Sequence, residues 1–313
     1  MQDTVRALAR DGKAPPQPVF MPLVFSAAAR VAGLSPRQFF SNPTKIANGL
    51  RQLQGPLHCD ALACYADQTL IAEALGATLD WEAGPPRVAA PPAELTPLGD
   101  IAERGRVPVM LEVVHRLRVV LRGRVALAVA LPGPLSTVGH LSMSSTAGAV
   151  PAGAETLAAA GDATLQAARA ACQAGADLIL LIETQLPAAD SEPGSQWQDT
   201  VGTICNIIRF HEAVPVLLEL QPANVSWQRL AAPGALPCLP AAFLNGLPDS
   251  GAQPDIPFGV ALEATPPPVA AVPLFQNLNC ALITTAGNLP YEIEARELRS
   301  LVAGLRRAIA KTS

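Results

Sequence analysis

The chain has 313 residues, enough for one α/β barrel without forcing a second domain. Half of the residues are hydrophobic and 15% are charged, so a large core is assured and wholesale disorder is excluded. The formal charge of −4, spread without a basic tract, and an aromatic content of 4% exclude a nucleic-acid binder, which needs clustered cations or stacking rings.

The N-terminal residues lack a charged segment followed by an apolar one, so no signal peptide is expected. No apolar run approaches the ~20 residues that cross a bilayer, so no membrane partner is expected. The six cysteines show no Cys-x-x-Cys spacing and read as reduced, buried thiols of a cytoplasmic protein.

Residues 1–18 form a lead whose prolines, at 15, 16 and 18, block helix at its end. Val19–Phe25 reads as a first strand. Ser35–Leu53 reads as a helix or helix pair with Ser35 and Ser41 as N-caps. Cys59–Tyr65 reads as a strand and Thr69–Ala77 as helical, and the proline-rich stretch Ala83–Asp100 reads as irregular.

Val107–Leu121 carries a helical stripe at Val109, Leu111, Val114, Leu117 and Leu121. Arg124–Leu131 is an apolar run suited to a strand buried on both faces. Thr156–Ala174, closed by Gly175, reads as a helix, and Asp177–Ile182 follows as a strand. Trp197–Glu212 and Val214–Leu220 repeat that helix-then-strand order. Ile256–Leu262 and Cys280–Thr285 are the last strands, and Glu292–Lys311 is a closing amphipathic helix.

This alternation, with about eight strands, points to a single-domain α/β protein, a (β/α)8 barrel of the TIM type over residues 1–313. The alternative is a doubly wound sheet, which lacks its Gly-x-Gly-x-x-Gly turn here.

In a barrel the chemistry lies just past the strand C-termini. That selects Ser26 and Arg30, then Asp67, then the loop Pro132–His140. Later strands deliver Glu183, Thr184, Glu219, Gln221 and the turn from Thr285 to Asn288. Glu183 and Glu219 each end an apolar strand, a placement that fits an acid/base role, a hard metal site, or capping of a helix. The small residues from Ser136 to Ala154 suit backbone approach to a ligand or a moving lid.

Three of these segments resemble the uroporphyrinogen decarboxylase superfamily, which also holds the corrinoid:coenzyme M-type methyltransferases. Asp67–Gly76 (DQTLIAEALG) is similar to the family's Asp-(six residues)-Ala-Leu-Gly segment. Leu131–His140 (LPGPLSTVGH) is similar to its Gly-x-Pro-Trp-Thr loop. Thr284–Tyr291 (TTAGNLPY) is similar to its closing Gly-x-x-x-Pro turn.

The resemblance implies a cytoplasmic barrel enzyme acting on a small molecule, with Asp67 as the central catalytic acid and His140 in a substrate-contacting position. It implies decarboxylation-type chemistry on an acidic heteroaromatic or tetrapyrrole-like substrate, with no metal or organic cofactor. His140 or Glu183 would move protons, and Arg30 would hold a carboxylate. Ser26, Glu219, Gln221, Asn288 and Tyr291 would line the substrate site. Family members often pair through their barrel mouths, which leaves a homodimer open.

Two departures bear on the activity. The decarboxylases carry Arg-Gln-Ala-Gly-Arg after the first strand, where this chain has Ser26-Ala27-Ala28-Ala29-Arg30. The methyltransferases carry a zinc-binding His-x-Cys pair and a later Cys, where this chain has Glu219-Leu220-Gln221 and Gly287. The alternatives are therefore methyl transfer to or from a small molecule or corrinoid without those zinc ligands, and a non-catalytic member that only binds a ligand.

Overall fold

The structure is a computed structural model and describes residues 1–95, 98–142, 153–188, 190–221, 226–244, 254–263 and 279–310. Ten strands are present among them. They are β1 (Val19–Met21), β2 (Ala61–Ala66), β3 (Thr78–Asp80), β4 (Arg87–Ala90) and β5 (Ala126–Pro132). β6 (Leu178–Glu183), β7 (Val214–Glu219), β8 (Leu236–Pro240), β9 (Phe258–Leu262) and β10 (Cys280–Thr285) follow.

Eight strands form one parallel sheet in the order β1-β10-β9-β8-β7-β6-β5-β2, so each lies beside its neighbour in the chain around a ring. Most are buried at every residue, which is why they read as unbroken apolar runs rather than alternating ones. The ring is nearly closed. Across the seam between β1 and β2, Asp60 stands in for a strand residue. Its N–H donates to the Phe20 carbonyl at 2.9 Å, and its Oδ2 accepts from the Phe20 N–H at 3.1 Å.

Helices wrap this ring, as a (β/α)8 barrel requires. Helix Ala154–Ala174 ends at Gly175, whose φ of 113° suits a residue without Cβ. Helix Glu192–Phe210 packs against it. Outside β2, the rings of Phe25, Phe39, Phe40 and Tyr65 interlock at centroid separations of 4.9–6.1 Å. The Tyr65 hydroxyl donates to the Phe40 carbonyl at 3.0 Å.

Several boundaries differ from the sequence expectations. β1 stops at Met21 and Phe25 already opens the helix Phe25–Val31. The helix pair is Pro36–Phe40 and Pro43–Leu57; Ser35 caps the first with a capping box, but Asn42, not Ser41, caps the second through Lys45 N–H at 3.1 Å.

The lead contains a helix, Gln2–Asp11, whose Val5 and Leu8 are buried against β5 and β7 at the N-terminal end of the ring. The stretch expected to be irregular holds β4, which pairs antiparallel with β3. The sixth barrel strand in chain order, β8, escaped the pattern because two prolines interrupt its five residues. Among the described residues no helix is long and apolar enough to cross a membrane.

Candidate functional site

Asp67 follows β2 at the C-terminal rim, where its carboxylate is 3% exposed. One oxygen, Oδ1, accepts from the Thr69 N–H and the Thr69 hydroxyl, both at 2.8 Å. This local turn starts the helix Leu70–Ala74. The other oxygen accepts from Arg106 Nη1 in a buried ion pair.

Arg106, itself 5% exposed, precedes the helix Val107–Leu121. Its Nε donates to Glu73 Oε2 at 2.8 Å and its Nη2 to the Thr69 hydroxyl at 3.0 Å. Its guanidinium lies 4.9 Å from the centroid of the Trp81 ring, just past β3. A buried guanidinium needs this many partners, since an unmatched one costs several kcal/mol.

His140 sits in the helix Pro134–Ser142, which directly follows β5 and packs against the helix that Asp67 opens. The imidazole is half-buried. Burial lowers its pKa from the ordinary 6.5, and the charge of Asp67 pulls the other way. Asp67 and His140, far apart in sequence, therefore share one electrostatic neighbourhood.

Glu183, completely buried at the end of β6, is built into the start of the His140 helix. It accepts from Leu135 N–H at 3.2 Å, Ser136 N–H at 2.7 Å, the Ser136 hydroxyl at 2.9 Å and the Trp197 indole at 2.9 Å. A negative charge at a helix start meets both the free N–H groups and the helix dipole. Burial nevertheless raises its pKa, against the hydrogen bonds from Ser136, Trp197 and Leu135. Gly133 permits the arrangement, because a Cβ there would stand 2.2 Å from the Glu183 carboxyl carbon.

The remaining expected site residues are spread around the rim. Glu219 lies beside Glu183 in register, is 7% exposed and accepts from Leu186 N–H at 2.8 Å. Gln221 is exposed, and its N–H donates to the Thr184 carbonyl. Ser26 is buried in the first turn of the helix Phe25–Val31.

Arg30, on the same helix, is half-exposed and donates from Nη2 to Glu294 at 2.6 Å. Tyr291 donates to the Leu34 carbonyl at 3.3 Å. Asn288 Nδ2 donates to the Ala66 carbonyl at 2.9 Å, which ties the closing turn to the end of β2, and its Oδ1 is buried without a partner. The small-residue segment after Ser142 falls outside the described residues up to position 152.

Sequence reasoning missed Arg106, Glu73 and Trp81. Arg106 stands 39 positions from Asp67, so only the fold brings them together. The available signal was an arginine immediately ahead of the Val107–Leu121 helix, where a cation opposes the helix dipole and so calls for a local carboxylate.

A zinc centre of the methyltransferase type needs soft, deprotonated ligands. All four histidines and all six cysteines lie within the described residues. No three His, Cys, Asp or Glu side chains assemble into a metal site among the described residues. Burial pushes Cys59, Cys64, Cys172, Cys205 and Cys280 up to about 12, so they remain thiols. The donor set does not fit such a centre.

The family model for uroporphyrinogen decarboxylase (URO-D) matches residues 2–202. No curated protein matches the chain. Among solved structures, the chain is similar to a methyltransferase from Methanosarcina mazei, at 16% identity with a TM-score of 0.72, covering 100% of this chain and 99% of that one. It is also similar to a putative vitamin-B12-independent methionine synthase from Listeria monocytogenes, at 12% identity and TM-score 0.56 over 96% and 98% of the two chains. A B12-independent methionine synthase from Shewanella sp. W3-18-1 matches at 14% identity and TM-score 0.51 over 86% and 87%. These likenesses bear on the barrel fold. The chain belongs to the uroporphyrinogen decarboxylase family.

Proposed function

We propose that this family member catalyses metal-free, decarboxylation-type chemistry on a small acidic heteroaromatic molecule at the C-terminal mouth of the barrel. The observation that carries the reading is the half-buried His140 in the field of the buried Asp67–Arg106 pair. His140 acts as the acid. Its imidazolium, made more acidic by burial, places a proton on the ring. The resulting cation draws in the electron pair of the breaking C–COO⁻ bond as CO2 leaves. The exocyclic carbon then takes a proton from solvent, and the ring returns its added proton to the neutral His140 imidazole, which restores the aromatic ring and leaves one net proton consumed per CO2.

Asp67 is the fixed negative charge that favours the ring cation. The cluster of Asp67, Glu73 and Arg106 has two formal negative charges against one positive, so it stays net negative. Glu183 has its acceptor capacity engaged at the helix start, which supports giving the proton to His140 instead.

The substrate carries few carboxylates on this reading. Arg30 is tied to Glu294, and Arg106 is already matched by Asp67 and Glu73. The same observation favours a second reading, methyl transfer to or from a small molecule without the usual zinc ligands, since that chemistry needs no carboxylate clamp.

Release of CO2 from uroporphyrinogen and from monopyrrole acetates tests the first reading. Turnover of a monopyrrole acetate that falls by about 10²–10⁴-fold in His140→Gln, with the melting temperature unchanged, supports it. Turnover equal to wild type in that variant removes His140 from the chemistry. Binding without any CO2 release favours the second reading or a ligand-binding role.

A further inference from the structure

We propose that Arg106 is a positioning residue: it locks the Asp67 carboxylate at the rim and weakens its field at His140, so that the imidazolium stays ready to give up its proton. The inference rests on the reading above, in which His140 is the acid.

The geometry carries it. Three of the guanidinium nitrogens of Arg106 are engaged at once, with Asp67, Glu73 and the Thr69 hydroxyl. Its backbone N–H reaches Glu73 as well, at 3.2 Å. Trp81 covers the guanidinium face. Thr69 holds the other Asp67 oxygen, so neither carboxylate oxygen is free to rotate away. Asp67 is thus a fixed charge whose partner is fixed too. A cation bonded to a carboxylate cancels much of its field a few ångströms beyond.

Few other charges can replace that control. The His140 helix packs against helices Leu70–Ala74, Ala154–Ala174 and Glu192–Phe210 and against β6. Glu73, from the first, is paired with Arg106, and Glu183, from β6, is bonded at the far end of the His140 helix. The charged residues of the two long helices (Glu155, Asp162, Arg169, Glu192, Asp199 and Arg209) are exposed to solvent, and their buried Cys172 and Cys205 are pushed up to about 12 and stay neutral. Asp67 is the carboxylate whose charge reaches His140.

The test is the titration of the His140 ring by NMR in the ligand-free full-length chain. Arg106→Met leaves Asp67 unmatched, so the His140 midpoint is expected to rise by about one unit. Asp67→Asn is expected to lower it. Arg106→Met also leaves Glu73 unmatched, so the comparison with and without the Asp67 carboxylate is made in a Glu73→Gln background, where Asp67→Asn/Arg106→Met is expected to titrate like Asp67→Asn.

Arg106→Lys keeps the charge but lacks the three-way fork, and is expected to raise the midpoint by less. An unchanged midpoint in Arg106→Met overturns the inference. So does an equal shift with and without the Asp67 carboxylate. If Arg106→Met does not fold, an unchanged midpoint in Arg106→Lys overturns it. Turnover of His140→Gln judges the reading and this titration judges the relay, so the two can fail separately.

Discussion

The two ends of the barrel each bury a carboxylate against an arginine, and they use it differently. At the N-terminal end, Asp177 accepts from the Leu127 N–H at 2.8 Å, from Arg118 at 2.5 Å and from Gln2 of the first helix at 3.2 Å. It stitches β5 to β6 and holds the helix that covers that end. The ionisable groups that feel it there are the thiols of Cys64 and Cys172, pushed up to about 12 chiefly by burial.

At the C-terminal end, Asp67 bonds to side chains and to its own turn, and the groups that feel its charge include a half-buried imidazole whose pKa burial lowers from the ordinary 6.5. A buried ion pair is therefore not in itself a mark of a catalytic centre. The mark is a neighbouring group that can change charge at working pH.

The largest expected effect separates the two ends directly. Asp67→Ala and Asp177→Ala each leave an arginine short of its partner, and each is expected to cost about 3–5 kcal/mol in urea unfolding. Asp67→Ala should also stop CO2 release, whereas folded Asp177→Ala should retain it. Loss of turnover in a folded Asp177→Ala protein would break the comparison.

Gly133→Ala is next, at about 1–3 kcal/mol, because its Cβ would overlap the Glu183 carboxyl group. The displaced carboxylate would release the Trp197 indole, so an altered Trp197 emission is the check, in a variant set that keeps the other two tryptophans constant.

A smaller effect lies in pH. The folded-state pKa of His140 lies below its ordinary 6.5, so the unfolded chain takes up the proton first as pH falls. The contribution of His140 to stability is full above about 6.5 and is lost as pH drops through the lowered value. His140→Gln should remove that part of the acid-side decline, measured as melting temperature between pH 7 and 5.

The sequence made the barrel legible where burial is two-sided. The strands Ala126–Pro132, Leu178–Glu183 and Cys280–Thr285 are buried at every residue and apolar except at the C-terminal ends of the last two, as a strand covered on both faces requires. It concealed β8, where prolines break the run, and the β3–β4 hairpin, where exposed residues carry no pattern.

In the candidate site, the rim positions of Asp67 and of the helix carrying His140 were legible because each follows a strand. Their shared neighbourhood was not, because it depends on how two helices pack. Arg106 was hidden for the same reason: an ion pair between residues 39 positions apart leaves no spacing to read. Glu183 was legible as an unusual strand end, but its service to the helix start depends on the fit against Gly133.

The smallest expected effect concerns Arg30, which the family resemblance made a carboxylate clamp. Arg30 and Glu294 face water at 50% and 61% exposure, so the bond between them replaces good solvation with a screened contact. Its guanidinium is raised above its ordinary pKa by that hydrogen bond, which only confirms that it is charged and already matched. Arg30→Ala should therefore leave the melting temperature and the turnover of a monopyrrole acetate unchanged. If instead KM rises about tenfold with kcat intact, Arg30 leaves Glu294 when substrate arrives, and the mouth holds a carboxylate clamp that forms only on binding. That outcome would return polycarboxylates to the substrate class, and it would sharpen the contrast with the N-terminal end, where Arg118 is held by Asp177 and the Gly175 carbonyl.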